Sequence, residues 1–176
     1  MSRGIMIYSV DEGALTGALG SNDTDLLEAL ERTCSDGTWP QVMQLIKSGS
    51  CRGDAEHQIF AFEALCKYFG VELDNGAVSP IRQSTIEDAD QALLTHPCGL
   101  SFDQLVYGHG VFPFTLASDF PQFGHWSAQS VRAAAPVLEQ DPPEHDDETL
   151  ESILLAVSDW ITIAHARNNA LFGFIY

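Results

Sequence analysis

The hydrophobic pattern of this chain begins and ends with short, nearly continuous apolar runs and is helical in between. Residues Gly4 to Val10 are rich in Ile, Met, Tyr and Val. The run is too short for an amphipathic helix and too uniformly apolar for a half-exposed strand, so it predicts a strand buried on both faces. Asp11 and Glu12 suit the first turn of a short helix reaching Leu19, which Gly20 ends. A second helix is predicted to start at Ser21 or Asn22, to carry Leu26, Leu27 and Leu30, and to exit at Asp36-Gly37. Pro40 fits the first turn of a third, whose apolar face is Val42, Met43, Leu45 and Ile46 and whose stop is Ser48-Gly49-Ser50. The clearest helix starts near Asp54 and ends at Gly70. It places Ile59, Phe62, Cys66 and Phe69 on one stripe and pairs Glu63 with Lys67 at i,i+4. Cys66 on that stripe reads as a small buried hydrophobe.

Residues 72–85 read as a connection, followed by a helix from about Ile86 to Thr95 that His96-Pro97 closes. From Cys98 to Pro121 the apolar residues are punctuated by Gly99, Gly108, Gly110 and Pro113, a pattern that predicts a long ordered loop. Ser127 is placed as the N-cap of a helix carrying Val131, Ala134 and Leu138, with Pro136 kinking it or ending it early. The last helix presents Leu150, Ile153, Leu154, Val157, Ile161 and Ala164 on one face, with acids in its first turn and His165 and Arg167 in its last. Asn168-Asn169 then turns the chain into a terminal strand, Ala170 to Tyr176. Each end strand needs a hydrogen-bonding neighbour, and the economical solution is that they pair with one another. The expected fold is therefore α+β and predominantly helical, one domain over residues 1–176 with a small sheet formed by the N- and C-terminal strands.

Charge adds a constraint on partners. Against 25 acidic side chains stand 8 basic ones, a formal net charge of -17, while the hydrophobic fraction of 45% is that of a folded protein. Binding to nucleic acid or to an anionic membrane is disfavoured, and a basic protein partner is attracted. The surplus is concentrated: from Gln83 onward the only cations are Arg132 and Arg167, and seven carboxylates lie between Glu139 and Glu151 beside Pro142-Pro143. The same surplus also serves dispersal alone. The N-terminal run lacks a cleavage site, and the four cysteines form no CxxC pair, so a cytoplasmic protein with reduced thiols is expected.

Motifs for catalysis are missing. There is no phosphate loop, no dinucleotide fingerprint, no H-E-x-x-H and no G-x-S-x-G. No cofactor is expected, and the chain reads more as a binding protein than as an enzyme. Two weak alternatives concern histidines. His96 and Cys98 are close enough to share a metal but lack a partner pair at ligand spacing. His109 or His125, oriented by Asp119 or Asp103, offers a general base with a pocket in the 98–126 loop, as in a hydrolase or a small-molecule binder.

Several stretches carry a resemblance: Ile7-Tyr8-Ser9-Val10-Asp11, Leu19-Gly20-Ser21, Ala64-Leu65-Cys66-Lys67-Tyr68-Phe69-Gly70, Asp119-Phe120-Pro121-Gln122-Phe123-Gly124-His125, and Phe174-Ile175-Tyr176. With these the chain resembles a family of small bacterial cytosolic proteins defined as a domain of unknown function. The resemblance implies a fold and carries no functional residue across. The expected function is a non-enzymatic binding protein, of the kind of an immunity-type inhibitor that caps a basic toxin or nuclease. Its contacts are placed on Glu144, Asp146, Asp147, Glu148 and Glu151, with Phe123 and Trp126 as apolar anchors.

Overall fold

The computed structural model describes residues 2–35, 37–108 and 121–176. The two end strands pair as the apolar runs predict. β1 (Ser2–Arg3) is followed by β2 (Ile5–Val10), and β2 lies antiparallel to the last strand, β6 (Ala170–Ile175), in register from Ile5↔Ile175 to Val10↔Ala170. Two short strands complete this sheet, β3 (Gly70–Glu72) beside β2 and β5 (Gln122–Trp126) beside β6, in the order β3-β2-β6-β5. β1 pairs separately with β4 (Ile81–Arg82).

Both faces of the sheet are covered, which is why β2 and β6 are apolar at consecutive positions rather than alternating ones. On one face Tyr8, Val10, Phe123, Phe172 and Phe174 pack against the first four helices, α1 (Glu12–Ala18), α2 (Thr24–Glu31), α3 (Trp39–Ser48) and α4 (Ala55–Tyr68). On the other, Ile5, Ile7, Trp126, Leu171 and Ile175 pack against α5 (Gln83–Thr95), α6 (Phe102–Tyr107), α7 (Ala128–Gln140) and α8 (Glu148–Ala166). The chain thus fills one face, crosses the sheet, and fills the other. Phe62 of α4 sits at the centre of an aromatic cluster with Phe123, Phe172 and Phe174, at ring distances of 5.2, 5.7 and 6.2 Å. Cys66 is fully buried, and all four cysteines are free.

Side-chain capping sets the start of most helices, though not of α3 or α5. Asp11, Asp54, Ser127 and Asp147 each accept backbone N–H bonds at the N-termini of α1, α4, α7 and α8. α2 begins later than Ser21 or Asn22: Asp23 is its cap, and Asn22 sits in the left-handed region at φ 53°. The N–H groups of Gly20 and Asn22 are drawn instead to the Leu45 and Ile46 carbonyls at the end of α3, both at 2.9 Å. Pro136 does not end α7, which continues to Gln140. The proline is exposed, so water can hydrate the carbonyl its ring leaves without a helical donor.

The 98–108 part of the predicted loop is not loop throughout, and residues 109–120 of it lie outside the described residues. Residues 98–108 contain α6, and β5 begins at Gln122. α6 is capped twice over. The Ser101 hydroxyl oxygen accepts the Gln104 N–H at 3.0 Å, and Asp90 of α5 accepts both the Ser101 hydroxyl at 2.7 Å and the Asp103 N–H at 3.0 Å. Asp90→Ala is therefore expected to cost about 1–2 kcal/mol, the size of a lost helix cap. Urea unfolding measures it; a midpoint equal to that of the parent would show that these bonds do not hold α6.

Candidate functional site

A groove of about 1240 Å³ lies on the α5–α8 side of the sheet. One wall is the outer surface of α5 with Arg82 at its start. The other is the segment from Asp141 to Asp147 that joins α7 to α8, and the floor is Ile81, Leu150, Ile153 and Leu154. Hydrophobic burial fixes the floor, because Ile153 and Leu154 are core residues of α8. Pro142 and Pro143 hold the joining segment out of helix, and Pro143 is buried while Glu144 to Glu148 are exposed.

Two histidines organise the acidic wall. His96 follows the last turn of α5, and its Nδ1 accepts the Cys98 N–H at 3.2 Å. In the neutral ring this bond assigns the proton to Nε2, which donates to the Asp141 carbonyl at 2.8 Å. His96 thus latches the end of α5 to the end of α7. Its side chain is only 10% exposed, whereas that of Asp141 is 74% exposed and projects its carboxylate into solvent. His145 Nδ1 accepts the Asp147 N–H at 3.0 Å, and Asp147 in turn accepts the Thr149 and Leu150 N–H groups that start α8. The wall is a turn built from local hydrogen bonds and rigidly joined to two helices.

Four carboxylates line the groove, Asp88, Asp141, Glu144 and Asp147, against a single permanent cation, Arg82. In a concave site with low-dielectric walls such an excess focuses negative potential. The arrangement suits the docking of Lys or Arg side chains over an apolar floor. Among the described residues no group of three or more His, Cys, Asp or Glu side chains is placed to hold a metal ion, and no helix is long and apolar enough to cross a membrane.

The family model described as Domain of unknown function (DUF7691) matches residues 1–176. The chain belongs to that family. No curated protein and no solved structure matches it. The DUF7691 match covers both helical layers and the sheet, so the groove lies wholly inside the family's domain.

Of the residues singled out in the sequence, Glu144, Asp147 and His96 line the groove. Asp146, Glu148 and Glu151 are exposed on the same segment and the first turn of α8, outside the groove lining. Phe123 and Trp126 are not surface anchors. They are 2% and 1% exposed, on opposite faces of β5: Phe123 stacks on Phe174 at 5.8 Å, and Trp126 donates its indole N–H to the Ser101 carbonyl at 2.8 Å. Aromatics in an apparent loop proved to be strand residues of the core. The His96 and Cys98 pair is a latch rather than the start of a metal site, because both imidazole nitrogens are hydrogen-bonded and the Cys98 thiol lies against the Leu93 carbonyl at 3.8 Å. His109 and Asp119 lie outside the described residues.

His125 lies on β5 and stacks on Phe172 at 5.3 Å with the rings 18° apart. Burial holds its pKa below the ordinary 6.5, and the nearby Glu12 carboxylate opposes this in part. The folded state therefore binds fewer protons at His125 than the unfolded chain does as the pH falls through 6.5, so stability is lost toward acid. His125→Gln should flatten the stability–pH curve between about pH 7 and 5; a slope unchanged in that variant would remove His125 as its source. Glu12, for its part, accepts the Ala128 N–H at 3.1 Å and ties α1 to the start of α7.

Proposed function

We propose that this protein is a non-enzymatic binding protein whose acidic groove takes a basic protein partner, in the manner of an immunity-type inhibitor that neutralises a basic toxin or nuclease in the bacterial cytoplasm. The observation that carries the reading is the four-to-one excess of carboxylates over permanent cations in a groove of about 1240 Å³ with an apolar floor. Charge gives fast, steered encounter, and the core residues Leu150, Ile153 and Leu154 beneath the groove hold its acidic wall in place. Free thiols fit a reducing compartment. The lack of a catalytic motif favours binding over turnover.

The experiment is a stopped-flow measurement of association with a purified basic nuclease or toxin encoded beside this chain, over a range of salt. Steered binding requires a rate constant that falls steeply as ionic strength rises, since the Debye length shortens to about 8 Å at physiological salt. A rate independent of salt, or no complex at low salt, counts against the proposal.

A further inference from the structure

A second cavity, of about 460 Å³, opens on the other side of the sheet, where α4 runs past β2. Its long wall is one stripe of α4, His57, Phe60, Glu63, Ala64 and Lys67, repeating at three and four residues. Tyr8 closes the inner end.

Glu63 is held there by two tyrosines. The Tyr8 hydroxyl donates to its Oε1 at 2.9 Å, and the Tyr176 hydroxyl donates to its Oε2. Phe60 stacks on Tyr176 at 6.0 Å with the rings 10° apart, which leaves Tyr176 little room to turn away. The Glu63 carboxylate is thus fixed in an aromatic wall, and both tyrosine pKa values are raised, by burial first and then by the Glu63 charge. Among the described residues no Lys, Arg or His nitrogen lies within 4.0 Å of it. Lys67 stands one turn further along α4, at the spacing where Glu and Lys ordinarily close on each other, and does not pair with it. His57 at the far end is taken by Asp54, at 3.2 Å.

The cavity therefore offers a fixed anionic group and a separate cationic group, on side chains whose Cβ atoms are roughly 5–6 Å apart as at positions i and i+4 of a helix, with Phe60 and Ala64 beside them. A half-buried carboxylate gains most from a partner that brings both a positive charge and N–H donors. A ligand that also carries a carboxylate satisfies Lys67, and an apolar side chain covers Phe60. We infer that this pocket binds a free α-amino acid, its ammonium on Glu63, its carboxylate toward Lys67 and its side chain along Phe60 and Ala64. The site is separate from the acidic groove and stands or falls independently of the proposed protein partner.

The test begins with the purified full chain and the twenty standard α-amino acids, each added at millimolar concentration in a thermal-shift assay. The amino acid giving the largest rise in Tm is then titrated calorimetrically beside its decarboxylated amine and its deaminated acid. At least one amino acid should raise Tm, and both analogues should bind at least about tenfold more weakly, each having lost one charged contact. Glu63→Gln should abolish binding. Lys67→Met alters an exposed side chain and leaves the core intact, and in it the amino acid should bind no better than the amine. No shift with any amino acid, an amine that binds as tightly as its parent, or unchanged affinity in Lys67→Met would each overturn the assignment.

Discussion

Gly124→Ala is expected to cost about 3 kcal/mol or more of folding stability, the upper range for overpacking, because the group it meets is backbone. Gly124 of β5 lies directly opposite Gly173 of β6, and the last turn of α6 runs across this pair. A Cβ at position 124 would stand 2.1 Å from the Gln104 carbonyl oxygen and 2.7 Å from the Gly108 nitrogen; one at position 173 would stand 2.7 Å from the Leu105 carbonyl oxygen. A clashing side chain can rotate aside, but a helix carbonyl can retreat only if the helix lifts off the sheet. That movement would also strain the Trp126 bond to Ser101 and the Asp90 cap on α6. Gly17→Ala is the comparison, since a Cβ there meets nothing within 4 Å; in α1 it should be neutral or stabilising by up to about 1 kcal/mol. Denaturant midpoints separate the two, and equal midpoints would mean that α6 does not rest on the glycine pair.

The second large effect concerns association. Replacing Asp88, Asp141 and Glu144 together by lysine reverses three groove charges without touching Asp147, whose carboxylate caps α8. The rate of association with a basic partner at low salt should fall by about 10- to 100-fold, within the range that electrostatic steering contributes. Asp25, Glu28 and Glu31, exposed on or at the end of α2 across the sheet, accept the same reversal as a control. If net charge alone attracted the partner, both triple variants would slow equally. A groove predicts that the control stays within a few-fold of the parent.

The fold was legible where a pattern was long or capped. The two end runs revealed a doubly covered strand pair because no exposed position interrupts Ile5 to Val10 or Ala170 to Ile175. Of the eight helices among the described residues, five announced themselves through an apolar face, α5 through the His96-Pro97 stop that closes it, and α1 through Asp11 and Glu12. α6 was hidden by its length, six residues, too short for periodicity to register. A local signal was nevertheless present: Ser101-Phe102-Asp103-Gln104 has the S-x-x-Q spacing of a capping box, and the Ser101 half of it forms. β3 and β4 span three and two residues, and pairing to distant partners, not local preference, makes them strands.

The candidate site was legible in part. The acidic run from Glu139 to Glu151 pointed to the wall of the groove, but its opposite wall is α5, some 50 residues earlier in the chain. Only tertiary packing brings Asp88 into line with Glu144. Phe123 and Trp126 misled for a physical reason: Gly and Pro around them mimic a loop, whereas Gly124 is required by the approach of α6 and not by a turn. The Glu63 pocket had a visible trace in the Glu63 and Lys67 spacing, which reads as an ordinary surface pair until Tyr8 and Tyr176 are seen to claim the carboxylate.

Backbone amide shifts recorded during titration with a short lysine-rich peptide test the central claim most directly, since they report where a cationic ligand sits residue by residue. Seating in the groove predicts perturbations concentrated at residues 82–96 and 141–154, with α2 and α3 unmoved. Shifts spread evenly over the exposed carboxylates, or centred on α2, would contradict it.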